Sequence, residues 1–470
     1  MKNPILRIAL CMPLFVSCEV IDYHPYDGRL STDEKQLNAQ HITQIEASTK
    51  DKDTLRFAFF GDTQRSYDET EDFMRHIHAR RDSLDFLIHG GDYTEFGTTA
   101  EYEWTVRILD GLTLPYVGLI GNHDVLGNGD AVFHALFGDD NFAFMAGDVK
   151  FVCLNTNALE YDYSNPVPDF EFLLDELKKQ NAPRTVVVMH APPGSDQFNN
   201  NVKVVFHEYI RQFPGLLFCL HAHNHSVQAS DLFGDGIFYY GCANMGQRNY
   251  LLFTLTPNGY IYEAFRSKCL LALCLLTLPT EGQELTPYQE RLEKYKKRWE
   301  KFIPRYTKLQ FAGSMGLISA GLGWDYYRKH WETDVLLGFI PAYADDNAKF
   351  TFTAKQNYYP WRIPLGRHFT FEPLACGAYV NILLDREFWG RQPDRYPEGY
   401  YWFSTRFRFH IFAGERITFK LPEGKGWHKS ISLFYELSTC DLYLINKIGN
   451  HTLRPRDYLS LSFGLKLQVF

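Results

Sequence analysis

No apolar run in this chain reaches the roughly 18 residues that a membrane-spanning helix needs, so no segment reads as one. The nine cysteines among 470 residues are scattered without CxxC spacing, which leaves no legible zinc ribbon or disulfide framework. Positive charge is in short supply. Lys and Arg total 48 against 56 Asp and Glu, a net charge of −8, and this excludes nucleic-acid binding driven by overall electrostatics. Disorder is excluded too, because 45% of residues are hydrophobic and 22% charged. What the chain does have is length for two or three domains. It also has aromatics, 16% of residues, crowded into 324–470.

Two stretches read as export signals. At the N-terminus Lys2 and Arg7 precede the apolar "IALCMPLFV", and "FVSC" closes it at Cys18. This resembles a bacterial lipobox, with Phe15 where Leu is usual, and makes Cys18 the expected lipidated first residue of the mature protein. An ordinary signal peptide with an incidental Cys is the alternative. The second stretch, "SKCLLALCLLTLPTEGQ" at 267–283, has the positive flank, short apolar core and small polar exit of a signal peptide. Its position suggests two secreted proteins joined end to end. A buried strand or short core helix remains open for 269–278. The expected organisation is a signal at 1–18, a linker at 19–53, a first domain at 54–266, a connector at 267–307 and a second domain at 308–470.

In the first domain, strand-like apolar runs lead repeatedly into polar residues of ligand type. "LRFAFF" runs into "GDTQ", "LDFLIHG" into "GDYTEFG", and "LPYVGLI" into "GNHD". "RTVVVMH" ends on a His, and "GLLFCL" runs into "HAHNH". In α/β folds, sites are built just past the carboxyl ends of such strands. The candidates are Asp62, Gln64, Asp92, Asn122, His190, His223 and His225. Carboxylate, amide and imidazole groups together suit Mn, Fe or Zn at a dinuclear centre.

The five segments, in this order, resemble the calcineurin-like metallophosphoesterase family, whose pattern runs D-x-H, G-D, G-N-H-D/E, a single His and G-H-x-H. The resemblance covers about 54–266. It implies a four-layer α/β/β/α sandwich and two divalent metal ions. It also implies roles. Asp92 bridges the metals, Asp62 and His225 hold the first, and Asn122, His190 and His223 hold the second. His123 serves as general acid with Asp124 orienting its ring. A hydroxide shared by the two cations is the implied nucleophile on a phosphate ester. Gln64 stands where the family has a His, so the first metal is expected to bind loosely or to be Mn or Mg. Ala222 replaces a Gly. His221 is an extra strand-end His. Tyr93, Arg65 and "APPGSDQFNNN" at 191–201 are expected near the mouth.

The second domain changes period. Residues 285–303 read as a basic amphipathic helix, which suits a membrane surface or a neighbouring domain. Beyond it residues alternate apolar and polar in seven runs, near 308–328, 331–342, 347–359, 368–384, 400–413, 429–445 and 457–470. The first run slips register at Leu317–Ile318, where a turn would make eight strands. The long apolar face and the aromatics Trp324, Tyr326, Tyr358, Trp361, Tyr401 and Trp402 at run ends suggest an outer-membrane β-barrel, with a soluble β-domain holding its own core as the alternative. Glu332, Asp334, Lys349, Lys355, Arg406, Arg408, Glu436 and Lys466 are the expected lumen charges.

The resulting expectation is a phosphoesterase anchored to outer-membrane lipid by a small barrel. With eight strands both barrel termini share one side, ordinarily the periplasm, and the phosphoesterase would hang there; with seven it would lie outside. Two alternatives stay open. One is a weakened domain that binds phosphorylated ligands. The other is a barrel that modifies lipid, for which His368, His410 and His451 lack a visible partner.

Overall fold

The computed structural model describes residues 21–31, 35–111, 113–162, 164–266, 303–344, 347–421 and 428–469. Cys18, the signal-like 267–283 and nearly all of the helix expected at 285–303 lie outside them.

The first module begins with helix α1 (Leu37–Thr49), strand β1 (Leu55–Phe60), helix α2 (Tyr67–His78), strand β2 (Phe86–His89), helix α3 (Thr99–Leu109) and strand β3 (Tyr116–Gly118). Helix α4 (Gly129–Leu136) follows, then strands β4 (Phe142–Ala146) and β5 (Val149–Leu154), helix α5 (Phe170–Lys179) and strand β6 (Arg184–Met189). It ends with helix α6 (Lys203–Ile210) and strands β7 (Leu216–His221), β8 (Gln228–Asp231), β9 (Phe238–Gly241), β10 (Asn249–Thr256) and β11 (Gly259–Arg266). The strands form two sheets, ordered β11-β10-β1-β2-β3 and β4-β5-β6-β7-β9-β8.

Between the sheets lies an aromatic-rich core. Phe57 stacks on Phe86 and Phe253 and meets Phe151 edge-on. Strands covered on both faces need continuous apolar sequence, and "LRFAFF" and "RTVVVM" supply it. Helices α2, α3 and α4 cover the outer face of the first sheet, and α5 and α6 that of the second. This is the α/β/β/α sandwich. The segment expected as a linker at 19–53 is instead built in. Asn38 on α1 exchanges two hydrogen bonds with the backbone of Gly118, and Tyr26 is fully buried against Phe388.

The second module is a closed barrel. Its strands are β12 (Tyr306–Ala312), β13 (Ile318–Tyr326), β14 (Trp331–Ile340), β15 (Lys349–Tyr358), a short β16 (Ile363–Leu365) and β17 (Phe369–Leu383). Strands β18 (Phe407–Lys420) and β19 (Ser430–Cys440), helices α7 (Asp441–Gly449) and α8 (Pro455–Tyr458), and strand β20 (Ser460–Gln468) complete it. Neighbours pair antiparallel, β15 pairs β17, and β12 pairs β20, so eight strands close with β16 as an appendage. The register slip at 317–318 is the β12–β13 turn, as the sequence suggested. One run was displaced: 400–413 is a strand only from Phe407, and β18 continues to Lys420.

Parity sorts the side chains. Phe409, Ile411, Leu322 and Leu433 point outward and are exposed, while Lys308, Asp334, Lys355 and Glu436 point inward and are buried. Seven of the eight expected lumen charges are buried there; Arg406 sits at the rim and donates to the Asp385 carbonyl. Arg416, Lys308, Glu372 and Asp325 are buried with them. Lys308 and Tyr306 bind Asp334, at 2.8 and 2.6 Å. Arg416 joins Glu372 and Glu332, at 2.6 and 2.8 Å, and Lys466 also reaches Glu332 at 2.6 Å. Lys355 pairs with Glu436. Charges this deep are stable only when paired, and an eight-stranded interior has room for side chains rather than a pore.

The two modules touch at one end of the barrel. Residues 313–317, 341–344, 347–348, 384–406 and 441–459 lie at that end, and 327–330, 359–368, 421 and 428–429 lie at the other with Tyr306 and Gln468. Among the described residues, the contacts between modules fall on the first end. Glu101 accepts from Asn446, Tyr67 N–H donates to Asn450, and Arg107 pairs with Asp457. The sandwich is thus docked on the long-loop end, opposite the strand termini.

Leu322 sits at the midpoint of an outward-facing strand. Leu322→Arg is expected to destabilise the barrel by about 2–4 kcal/mol if that face meets hydrocarbon, and by under about 0.5 kcal/mol if it meets water. Equilibrium unfolding from lipid vesicles checks this.

Candidate metal centre

All the predicted ligands sit at the carboxyl ends of β1, β2, β3, β6 and β7. Asp62, Asp92, Asn122 and His190 are each at most 1% exposed. Potential ligand atoms of Asp62, Asp92 and His225 lie within 4.8 Å of one another. Asn122 Oδ1 lies 3.1 Å from His190 Nε2 and 3.0 Å from His223 Nδ1. Asp92 joins the two sets, because its Oδ2 is 3.5 Å from His190 Nε2.

The local backbone is bent to achieve this. Asp62, Asp92, His223 and His225 all have positive φ, between 49 and 64°, a region non-glycine residues avoid at some energetic cost and enter mostly at functional sites. Two glycines give the room. A Cβ on Gly121 would lie 2.1 Å from Asp92 Oδ1, and one on Gly91 2.7 Å from His190 Nδ1. Ala222 is not among the positive-φ residues, so the Gly-to-Ala change costs nothing there.

The donor set fits divalent metal. Both carboxylate oxygens of Asp62 are buried with no hydrogen-bond partner, an arrangement that water-free burial would penalise heavily without a cation. Burial pushes the Asp62 pKa up, but His225, His190 and His223 outweigh it and hold it below the usual carboxylate value. Burial lowers the pKa of His190, against the pull of Asp92 and Asp62. A neutral imidazole is the form a metal binds.

Gln64 is present but turned. Its Nε2 donates to Asp92 Oδ2 at 3.3 Å, while its Oε1 is buried without a partner.

His123 is anchored by its Nδ1, 2.9 Å from the Glu95 carbonyl, and by its backbone N–H on Asp92 Oδ1. Burial disfavours the imidazolium, but Asp92, Glu95 and Glu160 prevail and raise the pKa to about 9. Asp124 does not orient the ring. Its carboxylate accepts from the backbone N–H groups of Asp92, Tyr93, Thr94 and Gly121. It ties together the loops after β2 and β3, and ring orientation falls to Glu95.

Tyr93 is not at the mouth. It is fully buried and stacks on His89 at 3.8 Å. Arg65 is half-exposed with Glu95 3.8 Å away. From 191–201, Asp196 reaches His223 Nε2 at 2.8 Å. His221 turns aside, bonding the Ala222 carbonyl and Gln228.

Sequence reasoning missed Glu160 and Tyr401. Glu160 is buried and accepts from Gln197, Tyr396 and Tyr401. Tyr401 belongs to the barrel loop 384–406, where it had been read as a membrane-interface aromatic. It is 5% exposed, its hydroxyl accepts from Asn122 Nδ2 at 3.1 Å, and its ring meets His123 edge-on at 5.3 Å.

Residues 55–227 match the family model of the calcineurin-like phosphoesterases. The first module is a calcineurin-like phosphoesterase domain. A 3',5'-cyclic-nucleotide phosphodiesterase of Nostoc sp. is 29% identical over 129 residues, 26% of this chain and 48% of that protein. The chain therefore spans about half the length of that relative. Among solved structures, the phosphoesterase module is similar to purple acid phosphatase from yellow lupin, with 13% identity, a TM-score of 0.36 and coverage of 45% of this chain and 51% of that one. GAP50, the anchor in the inner membrane complex of Plasmodium, gives 13% identity, a TM-score of 0.38 and coverage of 52% and 95%.

Gln64→His would put an imidazole beside Asp62 and Asp92. It is expected to raise metal retained per chain after dialysis, read by elemental analysis, with Zn gaining more than Mg.

Proposed function

We propose that residues 54–266 hydrolyse phosphate esters with two divalent cations, and that the barrel at 308–470 fixes the enzyme in the outer membrane. One observation carries the catalytic reading: seven residues from five separate segments converge, with Asp92 common to both ligand sets. Asp62, Asp92 and His225 would hold one ion, with Gln64 beside them, and Asn122, His190 and His223 with Asp92 the other. Bound there, such a pair neutralises phosphoryl charge and acidifies a water molecule. The carboxylate, amide and imidazole donors suit Mn, Fe, Zn or Mg.

The chain's own residues do the rest. Asp92 holds the backbone of the His123 loop through its Oδ1. With Nδ1 committed to the Glu95 carbonyl, His123 presents Nε2 to donate a proton to the departing oxygen. The cluster of carboxylates around it favours the protonated ring that a general acid needs.

The docking geometry supports a revised sidedness. Outer-membrane barrels carry short turns on the periplasmic side and longer loops outside. The phosphoesterase rests on the long-loop end, so we assign it to the cell surface. The N-terminal segment agrees. Tyr23 meets the outward-facing Phe311 edge-on at 5.9 Å, and Gly313 and Ser314 N–H groups bond the Asp22 carbonyl.

Asp92→Asn is expected to abolish metal-dependent turnover of p-nitrophenyl phosphate and its bis-ester. His123→Ala should lose about 10²–10⁴-fold on alkyl phosphates and much less on p-nitrophenyl esters. An equal loss on both removes the general-acid role. Protease shaving of intact cells should release fragments of 54–266; complete protection would return the domain to the periplasm.

A further inference from the structure

The barrel contributes more than attachment. Its loop 384–406 lies over the candidate metal centre, seated by Phe403 and Trp402 against Phe96 at 4.7 and 5.8 Å. From this loop Tyr401 enters a hydrogen-bonded chain. Its hydroxyl donates to Glu160 Oε1 at 2.9 Å, which leaves the oxygen to accept from Asn122 Nδ2 at 3.1 Å. Tyr396 donates to the other Glu160 oxygen at 2.8 Å, and Gln197 Nε2 spans Glu160 and Tyr400, at 2.7 and 3.0 Å.

The direction of this chain matters for an amide. Asn122 has one oxygen and one nitrogen on the same carbon, and only the oxygen can ligate a cation. With Nδ2 held by Tyr401, Oδ1 faces the ring nitrogens of His190 and His223. Without the hydroxyl, nothing in this chain of bonds selects that orientation over the flipped one. The Tyr401 ring also sits edge-on to His123, so one barrel side chain touches both a ligand and the proposed acid.

We infer that Tyr401 is a positioning residue supplied by the barrel, which fixes the Asn122 amide for the second metal and couples phosphoesterase competence to docking. This rests on the dimetal reading above. Groups that orient a metal ligand typically change affinity or activity by about 10–100-fold when removed. Tyr401→Phe keeps the ring against His123, Tyr396 and Trp389 and removes only the hydroxyl.

The test is Mn²⁺ titration calorimetry on the full chain in detergent, with turnover at saturating Mn²⁺ measured alongside. Wild type should bind two ions. Tyr401→Phe should weaken one site about tenfold or more and leave the other unchanged. Glu160→Gln, which alters the far end of the same chain, should weaken the same site to a lesser extent. The exposed loop variant Glu398→Gln should match wild type in both. Two unchanged Mn²⁺ sites in Tyr401→Phe and Glu160→Gln would sink this inference and spare the dimetal reading. A wild-type protein that binds no Mn²⁺ would sink both.

Discussion

One carboxylate without a hydrogen-bond partner organises the first module. Asp62 is buried with neither oxygen hydrogen-bonded, and Asp92 lies beside it. Held out of water, such groups are tolerable only where positive charge is provided. The imidazoles of His190, His223 and His225 surround them, and the backbone accepts four left-handed residues to bring them there. Local strain is therefore tied to charge placement.

The barrel solves the opposite problem. Its charges are also buried, but they are matched within the lumen: Asp334 by Lys308, Glu332 by Arg416 and Lys466, Glu436 by Lys355. Nothing there calls for an added cation. The contrast between an unmatched acidic cleft and a matched charged core separates the half that can do chemistry from the half that gives rigidity.

Much of this was legible in the chain. The candidate ligands could be picked out because each follows a buried strand, and strand order determines where those side chains meet. Eight strands and the lumen set could be read because side chains alternate with period two. The illegible parts depend on contacts between distant segments. Tyr401 is 279 residues from Asn122, and no periodicity says which loop will cover which cleft. "YYW" at 400–402 looked like strand and girdle for lack of that information. Asp124 was assigned to the His123 ring from resemblance, whereas its oxygens are consumed by four backbone N–H groups. Which barrel end carries the sandwich is likewise set by contacts between distant segments, such as Arg107 with Asp457.

The pairing of β12 with β20 has a consequence for biogenesis. The first and last strands, some 150 residues apart, meet only when the cylinder shuts, and the docking face is assembled from four loops that the closed cylinder holds in one array. A chain stalled before closure would present the phosphoesterase with a scattered surface. Maturation of the catalytic half would then lag behind insertion of the other, and turnover would report on completed assembly.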